Sequence, residues 1–274
     1  PIGLGCVPTG RSEMTELAYD VAGQGPALVL VHGLASSRRC WDLIIDDLST
    51  DFTVYAIDLP GHGDSEPLPG VAVATPAMFA TALGEFLDRQ GLDRAHLVGN
   101  SLGGWTILEA AADGRAESVV GLCPAGLWEP IHRPLRAISF NRRAALATRP
   151  AIPTIMGIRS VRRQLMRSGA ERTASVPYRI AVDAAFAQAD ASGFEAAHDG
   201  ALHTRFERAD AIPVTVPVTI VFGDNDRLLP APRFQQRDVA PAHARWEVLW
   251  NCGHAPMWDV PRVTTELIRR TAAA

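Results

Sequence analysis

Over residues 14–124, short apolar runs alternate with helix-like stretches, and this order constrains the fold more than any single motif. Ala27 to Val31 is five apolar residues in a row. It is too short for a helix and is bounded by Gly25-Pro26 and His32-Gly33, so it predicts a buried strand. Phe52 to Ile57, His96 to Val98 and Ser118 to Cys123 read the same way, and Glu16 to Val21 is a further candidate strand. Between them lie three helical patterns. One carries Trp41, Leu43, Ile44, Ile45 and Leu48 on its apolar side. The second runs from Thr75, a candidate N-cap with Pro76 at the first helical position, to Gln90, and Gly91 closes it. The third spans Leu102 to Ala112 and stops at Asp113-Gly114. From Ala27 onward, strand and helix alternate, which implies a parallel sheet with helices on both faces. Residues 1–13 read as an irregular or edge segment.

The alternation then breaks. From about Ala125 to Ala211 there is no clear strand, and helical stretches are punctuated by Pro130, Pro134, Pro150, Pro153 and Pro177. Between residues 130 and 180 stand eleven Arg against one acid, Glu171, although the whole chain carries a net charge of −4. The α/β order resumes at Val218–Phe222, followed by a possible short helix at Pro232–Val239, a strand at Trp246–Trp250 and a helix at Pro261–Arg270. The expected fold is therefore α/β, with a mostly parallel central sheet of about eight strands flanked by helices and an inserted helical cap. The expected division is a core of residues 1–124 and 213–274 and a cap of residues 125–212.

Composition excludes several classes. The 274 residues suffice for one large α/β domain. A net charge of −4 gives no overall electrostatic case for nucleic acid or a membrane surface. All 26 basic residues are Arg, which fits a genomic bias. Cys6, Cys40, Cys123 and Cys252 form no Cys-x-x-Cys pair, which argues against a zinc site or redox dithiol and fits reduced thiols in a cytoplasm. Neither a signal-peptide pattern nor an apolar stretch of about 18 residues is visible. No cofactor and no metal are expected.

The run at His96–Val98 leads into Gly99-Asn100-Ser101-Leu102-Gly103, directly before a small-residue helix. Gly-x-Ser-x-Gly in a strand–turn–helix setting is the pattern of a nucleophile elbow. Alone, it reads equally as a glycine-rich turn whose serine caps a helix. The decision comes from later strands. In an open parallel sheet, sites form beyond the carboxyl ends of the strands, and three strands here lead to Ser101, Asp226 and His254. On these residues, together with His32-Gly33, Asp58-x-Pro60-Gly61-x-Gly63-x-Ser65, Gly223-x-x-Asp226 and Gly253-His254, the chain resembles the α/β-hydrolase-fold serine hydrolases over residues 14–124 and 213–270.

The resemblance implies Ser101 as nucleophile, His254 as its base and Asp226 as the acid that orients the histidine. It also implies an oxyanion hole made by the backbone N–H groups of Leu34 and Leu102. Asp224 is the rival acid, but the family spacing before Pro230 selects Asp226, and Asp224 fits a turn cap. His32 fits a brace for the oxyanion loop and His62 a structural turn residue. His198 and His203 have no ligand cluster near them in sequence. Serine at the elbow disfavours haloalkane dehalogenases and epoxide hydrolases of this fold, which use an aspartate. His32-Gly33-Leu34-Ala35-Ser36-Ser37 also lacks the Gly-Pro-Gly run of meta-cleavage C–C hydrolases.

A small-molecule carboxylic-ester hydrolase is thus the expected activity. A C–C hydrolase of the meta-cleavage type and a carrier-protein or thioester hydrolase remain open alternatives, as does a non-catalytic ligand-binding receptor on the same fold. The Arg-rich cap is open to two readings, a solvated basic surface or a greeting site for an anionic substrate or acidic partner.

Overall fold

The computed structural model describes residues 16–129 and 136–274. The segment 1–13, Cys6, Pro130, Arg133 and Pro134 lie outside the described residues. Seven strands form one sheet in the order β1-β3-β2-β4-β5-β6-β7. They are β1 (Tyr19–Ala22), β2 (Ala27–Val31), β3 (Thr53–Ile57), β4 (Ala95–Asn100), β5 (Ala116–Leu122), β6 (Val218–Gly223) and β7 (Arg245–Leu249). All neighbouring pairs are parallel except β1 with β3. Where about eight strands were expected, seven are present among the described residues.

The continuous apolar runs follow from burial on both faces of the sheet. Along β2, Leu28 and Leu30 join one core layer and Val29 and Val31 the other. The helices are α1 (Ile45–Leu48), α2 (Pro76–Arg89), α3 (Leu102–Ala112), α4 (Arg136–Ala147), α5 (Ile152–Gly157), α6 (Arg159–Met166), α7 (Tyr178–Asp190), α8 (Phe194–Leu202), α9 (Pro256–Asp259) and α10 (Pro261–Ala272). Helices α2 and α3 cover the Val29 side; α1 and α10 cover the Leu28 side. Thr75 does cap α2, its hydroxyl accepting from the Met78 N–H at 3.4 Å.

Two expected helices are shorter than their patterns. The 41–48 stretch splits into a 3₁₀ turn at Arg38–Trp41 and the single-turn α1, because Ile44 leaves the helical region at φ −127°, ψ −11°. Pro232–Val239 yields only a 3₁₀ turn at Arg237–Val239. There the Gln236 N–H donates to Leu127 O at 3.0 Å instead of to a helical carbonyl.

The chain from β5 to β6 forms the inserted helices α4–α8, with no strand among its described residues. Helices α4–α7 share a small apolar cluster built on Ile152, Met156, Met166, Ile180 and Ala185, which Leu43 and Trp258 join from the sheet portion, whereas α8 packs on the main core through Ala197, Ala201 and Leu202.

Candidate active site

Strand β4 is central in the sheet, and its end carries Ser101 at φ 55°, ψ −117°. Such a conformation in a non-glycine residue costs roughly 1–3 kcal/mol and persists only where the surroundings over-determine it. Here the Ser101 N–H donates to Leu122 O at 3.0 Å, and its carbonyl accepts from Ala125 N at 2.9 Å and Trp105 N at 3.2 Å. A side chain on Gly99 would collide with the Gly103 carbonyl, and one on Gly103 with the carbonyls of Val31 and His32. The two glycines therefore let α3 press against both β4 and β2. Leu102 opens α3, so helix geometry leaves its N–H without an intrahelical acceptor.

The His32–Ala35 loop lies against the elbow: a Cβ on Gly33 would sit 3.0 Å from Ser101 Cβ. His32 is buried, accepts at Nε2 from Leu59 N at 3.0 Å and donates from Nδ1 to Gly33 O at 2.8 Å. The backbone donor fixes this tautomer. Burial holds the ring pKa below its ordinary value despite Asp58, whose Oδ1 is 3.8 Å from Nε2. The 58–65 motif is scaffold. Buried Asp58 accepts from the Arg38 guanidinium, from Arg38 N at 2.7 Å and from Asp64 N at 2.9 Å. Ser65 Oγ donates to Asp58 O at 2.8 Å. His62 Nδ1 donates to Pro60 O at 3.1 Å, and burial pushes its pKa down to about 3. Leu34 and Ala35 pack against Ala191 and Phe194 of the insert, a contact that carries no local sequence signal.

Beyond β6 and β7, Asp226 and His254 meet. Asp226 Oδ2 lies 2.8 Å from His254 Nδ1, and both residues are buried. Asp226 Oδ1 accepts from Leu228 N at 2.9 Å and Leu229 N at 2.8 Å. Burial opposes its ionisation, but His254 and the two N–H donors prevail and hold the carboxyl below its ordinary value. With Nδ1–H directed at the carboxylate, the His254 lone pair resides on Nε2.

The rival Asp224 faces elsewhere. Its Oδ1 accepts from Cys252 N at 3.0 Å and Asn225 Nδ2 at 2.9 Å, as a turn cap does. Cys123 Sγ, an Asp226 oxygen and a His254 nitrogen lie within 4.8 Å of one another. That is ligand-like spacing, but Asp226 Oδ2 and His254 Nδ1 already bind each other. Burial pushes the Cys123 thiol far up, so it stays protonated. His198 Nδ1 sits 3.2 Å from Asp199 Oδ1, and its ring stacks on Phe194.

The His254 loop is joined to the rest by groups that sequence reading missed. Asn100 Nδ2, next to Ser101, donates to His254 O at 2.9 Å and to Leu122 O at 3.0 Å. Buried Asp259 accepts from Gly253 N at 2.7 Å, Glu171 N at 2.9 Å and Arg172 N at 2.7 Å. Ala255 N donates to Gly169 O at 2.8 Å, and a side chain on Gly253 would strike the backbone of residues 169–171. The loop of the insert at 169–172 is thus bonded directly to the loop that carries His254.

The alpha/beta hydrolase family model matches residues 28–267, most of the chain. The chain belongs to the alpha/beta hydrolase family. Among relatives of this alpha/beta hydrolase, epoxide hydrolase EphH of Mycobacterium tuberculosis is 34% identical over 70% of this chain and 92% of its own length. A pimeloyl-[acyl-carrier protein] methyl ester esterase of Aeromonas hydrophila is 28% identical over 90% of this chain and 95% of its own. The solved structure of a thermophilic esterase from Thermogutta terrifontis shares the fold, with a TM-score of 0.72 at 24% identity, covering 93% of this chain and 92% of that one.

Between the insert and the strand ends lies a cavity of about 170 Å³, lined in part by Leu34, Ala35, Leu228 and His254. Ser101 is not among its lining residues. Among the described residues, no helix is long and apolar enough to cross a membrane.

Proposed function

We propose that this hydrolase cleaves a small-molecule carboxylic ester through a Ser101-acyl intermediate. The observation that carries the reading is the 2.8 Å bond between His254 Nδ1 and the buried Asp226 carboxylate. It leaves Nε2 as the base, on a loop tied by Asn100 to the Ser101 elbow.

In this reading Ser101 Oγ attacks the carbonyl carbon while His254 Nε2 takes the hydroxyl proton. The charge on the carbonyl oxygen is met by the N–H groups of Leu102 and Leu34, each such donor being worth about 10²–10³ in rate. His254 then returns the proton to the departing alkoxide, leaving acyl-Ser101. Water, deprotonated by the same nitrogen, attacks the acyl carbon; the bond to Ser101 Oγ breaks, His254 returns the proton to that oxygen, and the acid is released. Asp226 keeps the ring in the productive tautomer and supports its positive charge. The helices of the insert act as a cap over this site. A family relative that hydrolyses a methyl ester is consistent with ester chemistry.

Epoxide hydrolysis is the second reading, favoured by the 34% identity to EphH. Position 101 weighs against it. Serine opening an oxirane forms an ether, which has no carbonyl carbon for water to attack, so the covalent intermediate has no hydrolytic exit.

A panel of p-nitrophenyl esters and styrene oxide, given to the wild type and to Ser101→Ala, separates these. Ester turnover that vanishes in the variant, with a fluorophosphonate adduct on Ser101, is expected. Epoxide hydration without ester turnover would overturn the proposal. A protein that neither turns over any of these nor takes the label is a binder on the same fold.

A further inference from the structure

The cavity between the insert and the sheet differs from the surface around it. From 136 to 167 the chain carries eight Arg and no acidic residue. Of the seven Arg at 142, 143, 149, 159, 162, 163 and 167, whose side chains are described, none lines the cavity. Arg149 pairs with Asp190, Arg142 with Glu195, and Arg162 donates to Met156 O. Arg143, Arg159 and Arg163 are exposed and have no partner among the described residues. Among the described residues the lining is mostly apolar, as at Ile155 and Ala184; its polar side chains are the neutral Ser36, Thr148, Ser168 and Gln188, and its titratable one is His254.

We propose that this cavity is the specificity pocket for an uncharged apolar group on one side of the ester, about phenyl or hexyl in size, and that it rejects a carboxylate at that end. The inference rests on the ester-hydrolase reading and adds the substrate class. Size follows from the volume of about 170 Å³, since an apolar cavity of about 150 Å³ takes benzene. Charge follows from the lining. A carboxylate moved into it loses its hydration and, among the described residues, meets no Arg to replace it, whereas each buried methylene adds about fourfold in binding. The free Arg lie on the outside, so a negative charge on the substrate is tolerated there and excluded within.

Proton release from methyl acetate, methyl hexanoate, hexyl acetate, methyl hydrogen adipate and 6-acetoxyhexanoate tests this. The better of the two esters with a six-carbon chain should exceed methyl acetate in kcat/KM by at least about tenfold, and a carboxylate at the end of that chain (the adipate for methyl hexanoate, 6-acetoxyhexanoate for hexyl acetate) should lower it at least about tenfold. Ala184→Phe should drive the hexanoate-to-acetate ratio toward one. Ile155→Ala should raise the decanoate-to-hexanoate ratio, and it stands in if the bulkier variant does not fold. A flat chain-length series, or a terminal carboxylate that costs nothing on the better of the two esters, overturns the pocket assignment while leaving ester hydrolysis standing.

Calorimetry gives a readout that needs no turnover. Hexan-1-ol should bind more tightly than hexanoate; the reverse order overturns the proposal even if the protein hydrolyses no ester at all.

Discussion

The ends of β4 and β7 deliver their functional groups by opposite means. At β4 the device is steric and local. Gly99 and Gly103 remove side chains so that backbones touch, and Ser101 is held at a positive φ by bonds to Leu122, Trp105 and Ala125. At β7 the device is polar and remote. The loop bearing His254 is fixed by Asp226 from β6, Asn100 from β4, and Asp259, whose carboxylate also grips Glu171 and Arg172 of the insert. A serine that must stand on a sharp turn needs little beyond its own neighbours. A ring whose rotation sets the tautomer needs several anchors, and the chain draws them from three separate elements.

The largest test of this contrast is Asp226→Asn. If Asp226 orients His254, kcat should fall by up to about 10⁴ with little change in thermal midpoint. A loss below tenfold would remove Asp226 from the mechanism. Asp259→Ala comes next. It leaves three backbone N–H groups without their acceptor, at about 1–3 kcal/mol each where they stay buried, and displaces the His254 loop. Unfolding stability should drop by several kcal/mol and kcat by about 10–100-fold. Unchanged kcat in a protein that is destabilised but folded would make Asp259 purely structural.

Gly103→Ala probes the steric side. Overpacking against Val31 and His32 should cost about 1–3 kcal/mol or more in denaturant unfolding. A variant as stable as the wild type would show that the elbow has room to spare.

Acid tells the two kinds of buried group apart. His62 has its folded pKa depressed from 6.5 to about 3. Stability is therefore complete above pH 6.5 and declines as pH falls, by about 2 kcal/mol at pH 5. Asp226, a carboxylate held below its ordinary 3.8, contributes stability above that value and loses it only as pH falls through its lower folded value. His62→Asn should lessen the decline between pH 6.5 and 3, leaving the part carried by His32, whose pKa is lowered in the same way, and the loss of the Asp226 contribution below pH 3.8. The smallest effect belongs to Asp224→Asn. It keeps an oxygen able to accept from Cys252 N and should leave kcat within about twofold.

What could be read from sequence follows the same division. Runs buried on both sides of the sheet, such as Ala27–Val31, have bounds set by local chemistry, and the structure places β2 there. Thr75 and Pro76 mark the start of α2 for the same reason. Asp226 was legible as a position after a strand, and the structure pairs it with His254. Asp259 was not, since nothing near residue 259 announces the N–H groups of 171 and 172. Phe194 beneath Leu34 is hidden in the same way. The helices expected at 41–48 and 232–239 failed where tertiary bonding overrode local pattern, as when Gln236 N turned to Leu127 O. Arg143, Arg159 and Arg163 are visible in sequence as part of a charge run, but only the fold shows that they do not line the cavity.

The Asp259 carboxylate also provides a clock. The amides of Glu171 and Arg172 in the insert are bonded to this side chain of the sheet portion and to no strand or helix partner, so their protection reports the separation of insert and sheet. Exchange at these two sites, set against that of the β4 amides, reads the frequency with which the two parts of the molecule let go.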